Sequence, residues 1–192
     1  MSSTPSISLQ PLHEDDREQF ILDLQWAFRY GAQIEFGMRD DRTEEGSEVI
    51  SRTTIERSID GERAETNRIV LDGRFVGGVV LSIDKDEAKG ELELLFVSPE
   101  VHSRGIGKAA WRAVEALHPE IRIWEAITPY FEKRNIHFYV NSCGFHIVEF
   151  WNKYHHGPAV PDEESGNWSE DDEMFVFRKV IDRLNRSDEM KK

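Results

Sequence analysis

Hydrophobic residues recur with a helical period in four stretches of the chain and with a strand-like pattern in seven others. The clearest helical stretch spans residues 106–117, where apolar side chains stand three and four positions apart: Ile106, Ala109, Ala110, Ala113, Val114 and Leu117. The same period predicts helices over residues 14–30, 49–59 and 131–143. Alternating or β-branched runs predict strands over residues 7–12, 64–71, 74–83, 91–97, 121–127, 145–154 and 173–181.

Glycine and proline divide these stretches from one another. Asp72-Gly73 separates two β-rich runs and predicts a tight hairpin, because this pair readily adopts the left-handed conformations that short hairpin turns need. Gly31 and Pro119 predict the ends of the first and third helices, and Gly144 predicts the cap of the fourth.

The predicted elements follow the order strand, two helices, three-strand meander, helix, strand, helix and two strands. Strands joined by short turns pair antiparallel, and a helix between two strands allows a crossover. We therefore expect a mixed α/β (α+β) fold in which residues 1–184 form a single domain and residues 185–192 form a charged tail.

The net charge and the cysteine count of the chain indicate which partners and which cellular compartment to expect. The chain of 192 residues has a formal net charge of −13, which disfavours nucleic acid and anionic membrane surfaces as partners. The charge favours either simple solubility or attraction of a cationic substrate. Residues 1–10 carry no secretory signal pattern, and Cys143 is the single cysteine, so a cytoplasmic location is expected.

Residues 97–108 run from a strand end through a tight turn into a helix. Gly105 and Gly107 have no side chain where a ligand would approach the main chain. The helix that begins here offers N–H groups without intrahelical partners and the positive end of its dipole, and Arg104 and Lys108 add positive charge. These features predict an anion site suited to a pyrophosphate. A glycine turn that only tightens the joint between strand and helix is the alternative.

Two other phosphate-binding motifs share part of this pattern. A P-loop needs a glycine five positions before Gly107 and Ser or Thr after Lys108, but His102 and Ala109 stand there. The dinucleotide fingerprint is matched by the glycine pair, yet the strand here follows a meander and does not open a βαβ series. A nucleotide-binding domain that uses the turn for another phosphate ligand stays open as a weaker interpretation.

The stretch LLFVSPEVHSRGIGKAAW resembles the coenzyme A-binding motif of the GNAT acyltransferases. That motif is a strand ending in Val-x-Pro, followed by Gln/Arg-x-x-Gly-x-Gly/Ala at the start of a helix. Val97, Pro99, Gly105 and Gly107 match, whereas His102 replaces Gln or Arg. The resemblance implies a GNAT-like fold, with a central, mostly antiparallel twisted sheet of about seven strands, helices on both faces and two strands splayed apart at the coenzyme site.

The resemblance also implies acetyl-CoA as the acyl donor. By position it assigns the pantetheine arm to the main chain of Leu95 and Val97, and the pyrophosphate to the N–H groups of residues 103–108. The residues it assigns to the coenzyme are Leu95, Phe96, Val97, His102, Ser103, Arg104, Gly105, Ile106, Gly107, Lys108, Asn135 and Tyr139.

Transfer of an acyl group to an amine needs a base for the amine, a donor for the oxyanion and a proton for the leaving thiolate. Glu91 and Glu93 lie on the strand that leads to the glycine turn, and they share a face with Leu95 and Val97 unless a bulge intervenes. The resemblance implies that one of them serves as the base, directly or through water. The alternative role is that of surface carboxylates on a polar strand face.

The stretch RNIHFYVNSCGF resembles the last helix of the same family and assigns Tyr139 as general acid. Tyr139 lies five residues before Gly144, where four is usual, and Asn135 lies four before Tyr139, where seven is usual. One extra residue turns a helical side chain by about 100°. A core aromatic is therefore the alternative role for Tyr139, although Asn135 and Tyr139 share a helix face.

These observations, with the resemblance, predict an N-acetyltransferase that transfers the acetyl group from acetyl-CoA to a primary amine by direct attack. No metal is expected. The acceptor is a small-molecule or peptide amine, and a cationic one would suit the acidic residues 162–172. A homodimer is a further expectation from the family. A non-catalytic acyl-CoA-binding or regulatory domain is the main alternative.

Two other groups of residues receive weaker expectations. The aromatic residues near the first helix either border the acceptor or belong to the core: Trp26, Phe28, Tyr30 and Phe36. The histidines without ligand spacing are expected in turns or at the surface: His102, His118, His137 and His146.

Overall fold

The computed structural model describes residues 6–36, 49–101, 105–158 and 173–182. The strands are β1 (Ile7–Pro11), β2 (Ala64–Leu71), β3 (Arg74–Asp84), β4 (Lys89–Val97), β5 (Ile123–Pro129), β6 (His146–Trp151) and β7 (Met174–Val180). The helices are α1 (Arg17–Phe36), α2 (Arg52–Ile59), α3 (Ile106–Leu117) and α4 (Lys133–His137), which continues as a π-helical segment, Phe138–Cys143 (the π segment). The seven strands form an open, mixed sheet, and this confirms the predicted fold class.

The chain divides into two compact units. The first contains residues 1–84 and 92–119, and the second contains residues 85–91 and 120–192. The assignment of residues 1–184 to a single domain stays a prediction. Among the described residues, none of the helices has the length and apolar character that a membrane crossing requires.

In the first unit, β1, β2, β3 and β4 lie side by side. The strands β2 and β3 form the hairpin predicted from Asp72-Gly73, and both turn residues have positive φ, 50° and 77°. Gly77 of β3 lies directly against β4, because a Cβ built on it would stand 2.2 Å from the carbonyl oxygen of Phe96. Only glycine therefore allows this approach of the two strands.

Two apolar clusters cover opposite faces of this part of the sheet. The α1 and α2 helices pack on one face, where Phe20, Ile55 and Phe96 are buried together. The α3 helix packs on the other face through Ile106 and Ala110, with Leu95 and Val97 of β4 beside it. Alternate residues of β4 thus point to different helices, as the two-residue period of a strand requires.

The prediction that Gly31 ends the first helix is wrong, because α1 continues to Phe36. A glycine ends a helix when it adopts the left-handed conformation, and Gly31 is not among the residues with positive φ. Glycine inside a helix costs only about 1 kcal/mol. The second helix begins at Arg52, three residues later than predicted, because Ser51 caps it and accepts a hydrogen bond from the Thr54 N–H at 3.1 Å.

In the second unit, β7 lies between β5 and β6 and pairs antiparallel with both. The beginning of β4 also belongs here, since the Ala88 carbonyl accepts hydrogen bonds from the Arg122 and Ile123 N–H groups. Glu125 of β5 forms ion pairs with Lys89 and with Arg178. Three strands are thus joined through one carboxylate.

The last helix changes from α to π geometry at Phe138. It ends at Gly144, which has the left-handed φ of 80° that its predicted role as a cap requires. The Gly144 N–H donates to the Tyr139 carbonyl, as does the Phe145 N–H at 3.0 Å. Lys179 of β7 donates to the Cys143 carbonyl at 2.6 Å, so a cation lies at the negative end of the helix.

Candidate active site

The glycine turn of the first unit leads into α3 as predicted. Gly105 is the N-cap of α3 with φ 71° and ψ 12°, a left-handed conformation that a residue with a side chain adopts only at a cost. Apart from its neighbours along the chain, no atom of the described residues lies within 4 Å of the position that a Cβ would occupy at Gly105. The described residues thus leave space beside Gly105 for the close approach of a ligand to its main chain.

The first turn of α3 supplies donors and positive charge. The earliest intrahelical hydrogen bond runs from the Ala109 N–H to the Gly105 carbonyl at 3.0 Å, so the N–H groups before Ala109 have no acceptor within the helix. Lys108 is exposed beside them. These donors, the helix dipole and the lysine together fit a pyrophosphate group.

The residues that the resemblance assigns to the coenzyme differ in burial. Phe96 and Ile106 are buried in the two apolar clusters, so a contact of either residue with the coenzyme would involve the main chain. Leu95 and Val97 are half-buried beside α3. Three further members of the set lie outside the described residues: His102, Ser103 and Arg104.

The two glutamates proposed as bases lie on β4 as expected. Burial alternates along this strand, where Leu92 and Phe96 are buried and Glu91 and Glu93 are half-buried. The alternation agrees with the predicted common face of the glutamates. Their catalytic role stays a prediction.

In the second unit, Asn135 and Tyr139 both point to the same face of the sheet. The Asn135 amide nitrogen lies 3.4 Å from the Thr128 hydroxyl of β5, and the Tyr139 ring lies 5.1 Å from the Phe177 ring of β7. The expectation that Asn135 and Tyr139 share a helix face is thus confirmed. Tyr139 is 8% exposed, so much of its ring packs as a core aromatic would.

Burial governs the chemistry of the Tyr139 hydroxyl. It raises the pKa of this phenol well above the ordinary value of 10, and electrostatic interactions with Cys143 and Glu132 raise it further. Tyr139 consequently keeps its proton throughout the neutral pH range. A group in this state can donate a proton to a developing anion but cannot act as a base at neutral pH.

The π segment accounts for the irregular spacing between Tyr139 and Gly144. A π-turn accommodates one more residue per turn than an α-turn, and the segment between Tyr139 and Gly144 contains one residue more than the family pattern has. The extra residue is therefore absorbed between Tyr139 and the glycine cap. Local widening of this kind is frequent at functional sites.

Thr128 is a candidate residue that the sequence interpretation missed. It is 4% exposed and shares the buried face of β5 with Trp124 and Ala126. A polar residue in an otherwise apolar alternating series needs a partner, and the Asn135 amide lies nearest to it. The sequence does contain a signal for this residue, because Thr128 is the polar member of the alternating series formed with Trp124 and Ala126.

His118, which was expected in a turn or at the surface, directly follows α3 but is buried. His118 is 4% exposed at the end of α3, and its Nε2 lies 3.2 Å from the Glu65 carboxylate of β2. The reason is that the last turn of α3 packs against the sheet. In the part of the chain that the structure describes, no three His, Cys, Asp or Glu residues are placed to hold a metal ion.

The aromatic residues of α1 divide between core and surface. Phe28 packs against the α1–α2 cluster, whereas Trp26 is 43% exposed and Tyr30 is 37% exposed. The side chain of Phe36 lies outside the described residues, as do the acidic residues 162–172. A role of Trp26 or Tyr30 beside the acceptor stays a prediction.

Proteins of known sequence or structure resemble this chain. The chain is 40% identical over 180 residues to the uncharacterized protein YrkN of Bacillus subtilis (strain 168), a match that covers 92% of this chain and 95% of that protein. An acetyltransferase from Thermus thermophilus superposes with a TM-score of 0.62 at 17% identity, covering 93% of this chain and 99% of the other.

A third relative is the PaiA N-acetyltransferase from Thermoplasma acidophilum, whose structure contains coenzyme A. It superposes with a TM-score of 0.58 at 18% identity and covers 92% of this chain and 99% of the other. At these identities the two superpositions establish the fold. The model of the acetyltransferase (GNAT) family matches residues 19–145, and the chain therefore belongs to the GNAT family of acetyltransferases.

Proposed function

We propose that this protein is an N-acetyltransferase that transfers the acetyl group of acetyl-CoA to a primary amine by direct attack. The observation that carries the proposal is the left-handed Gly105 at the start of α3, a glycine-capped helix N-terminus with space beside it, which is the kind of site that binds a pyrophosphate. Membership of an acetyltransferase family supports the same reaction. The structure of the Thermoplasma acidophilum protein with coenzyme A supports the choice of acyl donor.

In this proposal, residues on both β4 and the π segment handle protons. Glu91 or Glu93 accepts a proton from the acceptor ammonium, directly or through water, so that the free amine attacks the thioester carbonyl carbon. The tetrahedral intermediate loses the second amine proton to water, and its C–S bond breaks as the amide forms. Tyr139 donates its hydroxyl proton to the departing thiolate and is reprotonated from solvent.

The test is thiol release from acetyl-CoA, measured with a panel of primary amines. We expect release that depends on both enzyme and amine, with the acetylated amine found in equal amount by mass spectrometry. Coenzyme binding without turnover on any amine would support a non-catalytic acyl-CoA-binding domain instead. If ATP or a dinucleotide raised the melting temperature while coenzyme A did not, both interpretations would be wrong.

A further inference from the structure

Two successive contacts join the last helix to the sheet of the second unit. Near the start of the helix, the Asn135 amide nitrogen lies 3.4 Å from the Thr128 hydroxyl. One turn later, the Tyr139 ring packs 5.1 Å from the Phe177 ring. Phe177 is paired directly with Ala126, which lies two residues before Thr128 on β5, so both contacts follow the same strand.

The spacing of these contacts agrees along the helix and along the strand. Four residues of a helix rise about 6 Å, and two residues of a strand advance about 6.6 Å. Thr128 and Ala126 project from the same face, and so does Phe177, because directly paired residues in antiparallel strands share a face. The helix therefore lies on this face in a register that places Asn135 beside Thr128 and Tyr139 beside Phe177.

The two contacts differ in how firmly they fix this register. Tyr139 meets aromatic rings, those of Phe177 and Phe145, and contacts between apolar surfaces have little directional preference. A helix held by such contacts alone could shift along the face by a fraction of a turn. The contact of Asn135 with Thr128 joins a donor to an acceptor, which is directional and specifies one position.

Burial makes the Thr128 contact selective for one register. Thr128 is 4% exposed, and its neighbours on the same face of β5, Trp124 and Ala126, are apolar and fully buried. A hydroxyl at so buried a position carries the full cost of its lost hydration when it has no partner, so registers that separate Thr128 from Asn135 are disfavoured. A single buried polar residue fixes the register of coiled coils in the same way.

The register matters because the helix widens directly afterwards. The α-helical part ends at His137, and the π segment begins at Phe138, three residues after Asn135. One residue corresponds to about 100° of rotation, so the direction of Tyr139 depends on where the extra residue is absorbed. Anchoring Asn135 in the α-helical part confines the widened turn to the residues that follow it. Tyr139 is thereby kept on the face that Asn135 contacts.

Building on the function proposed above, we propose that Thr128 is a positioning residue for the general acid. Its contact with Asn135 sets the register in which the helix presents the Tyr139 hydroxyl to the departing thiolate. In this role Thr128 exchanges no proton and acts through Asn135 and the helix. A misplacement of about 1 Å is enough to lower the rate of such a reaction up to about 100-fold, so an anchor of this kind affects turnover directly.

The test compares Thr128→Val, which keeps the shape of the side chain and removes the hydroxyl, with Thr128→Ser, which keeps the hydroxyl. We expect Thr128→Val to lower kcat about tenfold with less than a twofold change in the Kd of coenzyme A, and Thr128→Ser to retain most of the wild-type kcat. In the Tyr139→Phe background, Thr128→Val should have no further effect on kcat, because the acid that it positions is already absent. Thr66→Val is the matched control, since the Thr66 hydroxyl of the first unit is also buried but has no hydrogen-bond partner among the described residues.

Three kinetic outcomes would overturn the positioning role while leaving the proposed reaction intact. The first is an unchanged kcat in Thr128→Val, and the second is a further loss of the same size in the Tyr139→Phe background. The third is a raised Kd for coenzyme A with kcat intact, because Thr128 would then serve the coenzyme and not Tyr139.

A second readout does not need turnover. The chain has four tyrosines, so the ring resonances of protein labelled with 13C-tyrosine are assigned from single Tyr→Phe variants. Thr128→Val should shift the Tyr139 resonance and leave those of Tyr30 and Tyr154 unchanged. If this shift is seen although no amine is acetylated, the register role stands and the proposed reaction fails. If the Tyr139 resonance does not move, the register role is wrong whatever the activity.

Discussion

The glycine turn of the first unit and the π segment of the second unit both lie at a helix end, but they depend on different parts of the chain. The glycine turn works through the main chain, because Gly105 has a left-handed conformation and the first N–H groups of α3 have no acceptor within the helix. The π segment works through side chains, because its Tyr139 must reach the face of the sheet that Asn135 of α4 contacts. A main-chain site depends on local conformation, whereas a side-chain site depends on helical register.

The largest expected effect is a loss of coenzyme binding at the glycine turn. Replacing Gly107 with valine places a branched side chain in the first turn of α3, where the main chain would meet the pyrophosphate. We expect the Kd for coenzyme A, measured by titration calorimetry, to rise at least about 100-fold. Ala116→Val is the control, since Ala116 is exposed on the same helix. Equal affinities in the two variants would exclude the turn as the coenzyme site.

The next largest effect is a fall in kcat when the Tyr139 hydroxyl of the π segment is removed. Tyr139→Phe removes the hydroxyl and keeps the ring that packs against Phe177. We expect kcat to fall about 100-fold, within the range for loss of a general acid, with no change in coenzyme affinity. Tyr154→Phe, at an exposed tyrosine of the same unit, serves as the control. A Tyr139→Phe enzyme with the wild-type kcat would rule out the acid role.

A matched pair of glycine variants sharpens the comparison. Gly105 and Gly144 both have positive φ, and neither lacks space for a methyl group. Alanine at either position should lower the free energy of unfolding in urea by about 1 kcal/mol, because the strain is the same. The functional results should differ, with Gly105→Ala weakening coenzyme binding and Gly144→Ala leaving it unchanged. Similar binding losses in both variants would show that the turn has no special part in binding.

The smallest expected effect concerns Glu125, whose carboxylate joins strands of the second unit. Desolvation of Glu125 is outweighed by Lys89 and Arg178, so the pKa of its carboxyl lies below the ordinary value of 4.5. A lowered pKa in the folded state gives stability that is complete above pH 4.5 and is lost as the pH falls through the lowered pKa. Glu125→Gln should therefore lower the free energy of unfolding by about 1 kcal/mol at pH 7.

Melting temperatures recorded from pH 7 to pH 3 check the sign of this effect. The difference between the wild type and Glu125→Gln should narrow below pH 4.5, as the wild type loses the charge that the variant lacks. A difference that stays constant across this range would mean that packing, and not charge, is responsible.

The sequence predicted the elements well where one local signal determined them. Asp72-Gly73 gave the hairpin because both residues tolerate positive φ, and Gly144 gave the end of the last helix for the same reason. Gly31 shows the limit of such signals. A glycine can end a helix or lie inside it, and the residues packed around α1 decide which occurs.

The candidate site was predicted less completely, for two physical reasons. The π segment depends on hydrogen bonds that a fixed α-helical period does not represent, so the direction of Tyr139 stayed open. The contact between Phe150 and Phe175 depends on strand order, because these residues become neighbours only when β7 pairs with β6. Their separation along the chain gives no local signal of this contact.

The π segment also bears on how this part of the molecule tolerates insertion. In a regular α-helix one added residue would rotate everything that follows it, including Gly144 and the start of β6. Here the widened turn confines the extra residue between Tyr139 and Gly144, while Lys179 still reaches the Cys143 carbonyl from β7. The helix can thus gain a residue without disturbing the pairing of β6 with β7.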